Sequence, residues 1–185
     1  MTDLSGRTIL TLVSNYGVEQ DELLVPVREL REQGAAIDVA AVEDAPVVTL
    51  VGDKDPGETV TPDRTLDGVE AASYDALLVP GGTINADQLR LQDGAVDLAR
   101  SFADAGKVVA AICHGPWLLV EAGLLDGKTL TSYASVRTDI VNAGGTWEDT
   151  EVATCPANGW TLVTSRSPAD LKAFVPAIAD ALTTG

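Results

Sequence analysis

The residues of this chain best suited to chemistry sit together at Cys113-His114-Gly115-Pro116. Val108 to Ile112, five small or β-branched apolar residues, read as a buried strand running into them, and an apolar helical face from Trp117 to Val120 follows. A strand that ends on a nucleophile and reverses at once into a helix is the geometry of a nucleophile elbow. Gly115 lacks the Cβ that would hold helix and strand apart, and Pro116 suits a first helical turn, where its missing N–H costs nothing. Such a turn aims the sulfur at the unpaired N–H groups and the positive dipole end of the helix, a field that favours thiolate over thiol. Cysteines at strand ends are more often inert core residues. Here, however, the neighbour is the chain's only histidine, an odd choice for a purely structural turn, so the pair is read as functional.

Other candidates fall at strand ends. Tyr74 to Val79 reads as a buried strand stopped by Pro80-Gly81-Gly82. Those glycines serve a turn, or Gly82 offers a bare N–H to a developing oxyanion, with the N–H of His114 as second donor. Glu19, Asp21 and Glu22 come early on the first helix. Asp21 complements the helix dipole, whereas Glu19 and Glu22 lie three apart near the strand edge where open α/β sheets hold ligands. Tyr16, in the turn-rich loop Ser14 to Gly17, and Arg166 are further site candidates, and Arg166 reads equally as a bridge to a surface carboxylate. Cys155, beside Pro156 in a turn, reads as structural.

The elements that must position these residues alternate. Arg7 to Val13 predicts a first strand, Val18 to Gln33 an amphipathic helix stopped by Gly34, and Ala35 to Ala41 a second strand. A strand-helix-strand unit implies parallel neighbours joined by a right-handed crossover. Residues 43–73 are irregular and predict a β-ribbon around Asp53 to Gly57. Helices are predicted at Ala86 to Leu91, Ala95 to Ala105 and Val136 to Ala143, a short strand at Lys128 to Ser132, and a hairpin from Glu151 to Ser165. Pro168 to Leu182 predicts a last helix, kinked or split in two by Pro176. The whole, 1–185, is expected to form one domain.

Composition narrows the function classes. Asp and Glu number 28 against 12 Lys and Arg, a net charge of −16, which argues against nucleic acid or an anionic membrane as partner. The opening Met1-Thr2-Asp3 is not a leader, and no apolar run approaches a membrane span, so a cytoplasmic protein is expected. Two cysteines make no disulfide framework, and with one histidine they make no persuasive zinc site. With no phosphate loop or dinucleotide fingerprint either, no cofactor and no metal are expected.

Several strings in order carry a resemblance over nearly the whole chain. Glu19-Gln20-Asp21-Glu22 followed by Pro26, then LLVPGG, AICHGPWLLVEAGLLDGKTLTSY and TSRSPADL, look like the PfpI family of intracellular proteases and amidases. That family lies within the wider DJ/PfpI superfamily. The resemblance implies a flavodoxin-like three-layer α/β sandwich with a mostly parallel sheet, helices on both faces and a nucleophile elbow. It makes Cys113 the nucleophile, His114 its imidazole partner, Glu22 the carboxyl group bonded to the sulfur, and the Gly82 and His114 N–H groups the oxyanion hole. Glu19 matches another acidic position of that helix. In the family, an acid shortly after the P-G-G turn orients the histidine from a neighbouring subunit. Here the segment Thr83 to Arg90 is one residue longer than the usual form, and Asp87 is its only acid. A homodimer or higher homo-oligomer is implied.

Three functions follow. The first is a cysteine hydrolase of the PfpI type, attacking the carbonyl of a peptide or amide through an acyl-enzyme. The second is a cofactor-free glyoxalase or deglycase-like enzyme acting on 2-oxoaldehydes such as methylglyoxal. The third is an oxidative-stress sensor whose thiol is oxidised without turnover.

Overall fold

The first strand buries both of its faces. Ile9 and Val13 pack into one apolar cluster with Leu23, Val27, Leu30, Phe174 and Ile178, whereas Leu10 and Leu12 join another with Leu98, Phe102, Leu118 and Leu119. A strand apolar on both sides requires helices on both sides. Full burial of each such side chain contributes about 1.5–3 kcal/mol.

The computed structural model describes residues 2–184; Met1 and Gly185, the ends of the expected 1–185 domain, lie outside the described residues. The first half runs β1 (Thr8–Val13), β2 (Tyr16–Glu19), α1 (Gln20–Glu32), β3 (Ala36–Ala41), β4 (Val47–Val51), β5 (Asp55–Val60), β6 (Arg64–Thr65), β7 (Ala76–Val79) and α2 (Thr83–Leu89). The second runs α3 (Asp93–Asp104), β8 (Val108–Ile112), α4 (Pro116–Glu121), β9 (Thr129–Leu130), α5 (Arg137–Asn142), β10 (Thr146–Trp147), β11 (Val152–Cys155), β12 (Thr161–Ser165) and α6 (Leu171–Thr183).

The main sheet has seven strands in the order β11-β12-β8-β7-β1-β3-β6, parallel throughout except for the β11–β12 hairpin. Its five longer parallel strands, counted along the chain, lie 2-1-3-4-5, the flavodoxin-like order, with α1 and α6 covering one face and α3 and α4 the other. This is the expected three-layer sandwich. In such sheets ligands bind outside the carboxyl ends of the strands, at the switch point between the first and third. Here that point lies between β1 and β7.

The ribbon expected within 43–73 forms, with β4 antiparallel to β5. It gains a third strand in β2, where a plain loop was expected: Val18 and Glu19 pair with Thr49 and Leu50 in place of starting the helix, so α1 begins at Gln20. Only Thr129 and Leu130 of the strand expected at 128–132 pair with another strand, because the Thr131 N–H turns to the Thr164 hydroxyl. The last helix is one helix, not two. Pro176 and Lys172 both face solvent, so the carbonyl that the proline cannot bond lies on the side of the helix open to water. Among the described residues no helix is long and apolar enough to cross a membrane.

Candidate active site

Between the end of β8 and the start of α4 the chain has three residues in which to reverse. Cys113 turns it by adopting φ 62, a left-handed conformation that costs a side-chain-bearing residue roughly 1 kcal/mol. Two hydrogen bonds hold it there: its N–H donates to the Ser165 carbonyl at 3.0 Å, and its carbonyl accepts the Tyr133 N–H at 2.9 Å. Gly115 lets the turn close, since a Cβ there would lie 2.5 Å from the Val79 carbonyl oxygen.

The elbow presents the sulfur to two N–H groups and one carboxyl. The backbone N–H groups of Gly82 and His114 lie beside it and favour its ionised form. Glu22, in the first turn of α1, is fully buried; its Oε2 accepts the Gly81 N–H at 2.8 Å, and the carboxyl approaches the sulfur. Its Oε1 has no partner among the described residues. Burial pushes the Glu22 pKa up to about 8 against the pull of the Gly81 N–H, and the charges of Glu19 and Asp53 add to the rise. The carboxyl is therefore neutral at pH 7. Burial also pushes the Cys113 thiol up, as would a charge on Glu22, while the Gly82 and His114 N–H groups pull it down. Keeping the proton on Glu22 removes the repulsion and gives the thiolate a third donor. The glycines are needed for this approach: a Cβ at Gly81 would lie 2.5 Å from Glu22 Oε2 and 2.7 Å from Cys113 Cβ.

His114 is also buried, with Nδ1 3.2 Å from Cys113 Sγ. Its Nε2 lies 3.1 Å from Ser135 Oγ and 3.4 Å from Thr83 Oγ1. The ring stacks on Tyr133, centroids 4.8 Å apart, and meets Trp117 at 5.1 Å and a 55° tilt. Burial lowers its pKa below the ordinary imidazole value and the charge of Asp53 opposes that. Glu19 reaches the site indirectly. Its two oxygens accept the N–H groups of Gly52 and Asp53 at 3.0 and 3.1 Å, and Asp53 in turn accepts the Thr83 N–H and hydroxyl at 2.8 and 2.7 Å.

Cys113, His114, Glu22 and Gly82 thus meet at one point, with Glu19 behind them. Asp87 is exposed on α2 and its side chain makes no hydrogen bond among the described residues. The Tyr16 side chain is 46% exposed, and its backbone carbonyl takes the Ser14 hydroxyl. Arg166 forks onto Asp170 at 2.8 and 3.0 Å and reaches Asp149 at 2.7 Å, the bridging alternative of the two open in the sequence. Cys155 Sγ accepts the Thr129 N–H at 3.4 Å. Among the described residues no three His, Cys, Asp or Glu side chains cluster as a metal would require. Asp53, Thr83, Trp117, Tyr133 and Ser135 border the site without having been singled out. Asp53 read only as part of a turn, and nothing local in the sequence marks its reach to α2.

The class these features define is a flavodoxin-like α/β protein with an elbow cysteine backed by a buried carboxyl at the carboxyl edge of the sheet. The chain belongs to the DJ-1/PfpI family, whose profile matches residues 7–181. General stress protein 18 of Bacillus subtilis (strain 168) is 40% identical over 165 residues, covering 89% of this chain and 92% of that protein. Deglycase PH1704 of Pyrococcus horikoshii is 40% identical over 167 residues, covering 90% and 94%. The crystal structure of Drosophila melanogaster DJ-1beta superposes with a TM-score of 0.84 at 29% identity, covering 98% of this chain and 92% of that one.

Proposed function

We propose that this chain is a cofactor-free, cysteine-dependent enzyme acting on 2-oxoaldehydes such as methylglyoxal, or on the adducts they form with amines. The observation that carries the reading is the pair of proton carriers flanking one sulfur: Glu22, held neutral with a pKa of about 8, and His114, with its pKa lowered by burial. An environment that lifts the carboxyl above pH 7 and lowers the imidazole further below it leaves a protonated acid and an unprotonated base at the same pH. The name of Deglycase PH1704 supports the same substrate class.

The thiolate adds to the aldehyde carbon, forming a C–S bond, and the carbonyl electrons move to oxygen. That oxygen is held by the Gly82 and His114 N–H groups and takes the Glu22 proton. His114 then removes the proton on the former aldehyde carbon, the electrons pass to the neighbouring ketone, and reprotonation at the ketone carbon leaves a hydroxy-thioester. Water cleaves that thioester, releasing lactate from methylglyoxal and restoring the thiol. Acid–base assistance of this kind contributes about 10²- to 10⁴-fold in rate.

Peptide or amide hydrolysis is the second reading. It is supported by the backbone N–H groups of Gly82 and His114 beside the sulfur, donors that an acyl-transfer oxyanion could take. Self-association, with Asp87 meeting a second copy, and action in a reducing cytosol, where the thiols of Cys113 and Cys155 stay free, belong to the same proposal.

The test is methylglyoxal consumption with lactate readout, run beside a fluorogenic amide assay, on wild type and Cys113→Ser. Lactate formation lost in the variant is the expected result. Thiol-dependent amide cleavage alone would move the assignment to the hydrolase. Neither activity, with mild peroxide adding two oxygens at Cys113, would replace both with a sensor.

A further inference from the structure

The ring of His114 is useful only in one tautomer. If Nδ1 carries the proton, the nitrogen facing Cys113 Sγ cannot accept one from the thiol or from substrate; if Nε2 carries it, Nδ1 is a free base. The side chains around Nε2 decide between them. Thr83 Oγ1 has a single hydrogen, and Asp53 Oδ2 lies 2.7 Å away as a carboxylate with nothing to donate. That hydrogen goes to Asp53, which leaves Thr83 Oγ1 an acceptor toward Nε2 at 3.4 Å. Ser135, at 3.1 Å, has no hydrogen-bond partner besides His114 among the described residues, so it serves as donor or acceptor and fixes nothing by itself.

Asp53 is held in place for this role. Glu19, buried at the start of α1, accepts the N–H groups of Gly52 and Asp53, and Asp53 sits at φ 57. Its other oxygen accepts the Thr83 N–H at the first position of α2, so both carboxylate oxygens are fixed on one residue. The two acids three apart, Glu19 at the end of β2 and Glu22 in the first turn of α1, therefore serve opposite sides of one centre. Glu22 acts on the sulfur directly, and Glu19 acts on the imidazole through Asp53 and Thr83.

We infer that Asp53, acting through Thr83, is a positioning residue that holds His114 in its Nε2–H tautomer and so keeps Nδ1 free as the base beside Cys113. This rests on the thiol-dependent reading given above and assigns, within a single chain, the orienting carboxylate for its histidine. The charged and titratable groups near the ring are Cys113, Glu22 behind it, Asp53, and Tyr133; Arg90 lies against Trp117.

One histidine per chain makes the test direct. In protein labelled with ¹⁵N-histidine, the two ring nitrogens give one pair of signals, read above the imidazole titration. Wild type is expected to show the proton on Nε2. Asp53→Asn keeps an oxygen for the Thr83 N–H and tolerates positive φ, but its amide donates to Thr83 Oγ1 and turns the hydroxyl hydrogen toward Nε2. Asp53→Asn and Thr83→Val are expected to raise the Nδ1–H population severalfold and to lower kcat about tenfold, with KM moved by less than about threefold. Thr83→Ser is expected to restore both. An Nδ1–H form already dominant in wild type, or no more populated in Asp53→Asn, overturns the inference. Activity surviving in Cys113→Ser overturns the thiol-dependent reading instead, and the tautomer signals remain readable either way.

Discussion

Glu22 keeps its proton at a pH where ordinary carboxyl groups have lost theirs, because nothing around it replaces the water it gave up except one N–H and a sulfur. Its pKa rises from 4.5 to about 8 on folding, so between those values the folded state holds a proton that the unfolded chain has released. Stability from this group is complete below about pH 4.5 and falls as pH rises through about 8, by on the order of 5 kcal/mol. Glu22→Gln keeps the size and removes the titration. Thermal melts from pH 5 to 9 are expected to show wild type losing stability relative to Glu22→Gln as pH rises. Parallel curves would mean that the carboxyl is already ionised in the fold. The same variant is expected to slow iodoacetamide alkylation of Cys113 at pH 7, since an amide is a weaker donor to the thiolate than a carboxylic acid.

At the scale of elements, the site is a junction of turns at strand ends. Gly82 shows how tightly they meet: at φ 85 it packs on β2, and a Cβ would lie 2.6 Å from the Glu19 nitrogen and still closer to the Gly17 carbonyl. Gly82→Ala must push the turn off β2 and carry its N–H away from the sulfur. Loss of one such donor lowers kcat about 10²- to 10³-fold, and a circular dichroism spectrum that stays native separates this from unfolding. A variant that retains activity within a fewfold would remove Gly82 from the oxyanion hole. Cys113, His114, Gly82 and Glu22 were legible in the sequence because each sits in a short string that marks a strand end or a helix start. Asp53 was not. It reaches α2 only because β2 pairs with β4, and β2 is four residues with a glycine inside, too short for any periodicity to show. Of the two outcomes expected at Pro176, the split into two helices does not occur, since a local rule about proline does not say which side of the helix faces water.

The whole molecule sets the field in which these parts work. A net charge of −16, with Glu19 and Asp53 acting on Glu22 beside the sulfur, surrounds the site with a negative potential that small neutral carbonyl compounds enter without penalty and anions do not. Among the described residues no fixed cation offsets this near Cys113: Arg166 is committed to Asp170 and Asp149, and Arg90 pairs with Glu121 beside Trp117. The sulfur should therefore distinguish two alkylating agents of similar shape, neutral iodoacetamide and anionic iodoacetate. At low ionic strength the neutral reagent is expected to modify Cys113 at least about tenfold faster, after correction for the same ratio on a small free thiol, because fields of this size change encounter rates by about tenfold or more. Raising the salt to about 1 M shortens the screening length to about 3 Å and should collapse most of the difference. Mass spectrometry of the Cys113 peptide at two salt concentrations measures it. A ratio that does not move with salt would mean that the selectivity comes from the shape of the pocket walls and the hydrogen bonds at the sulfur, and that the acidic surface plays no part in choosing the substrate.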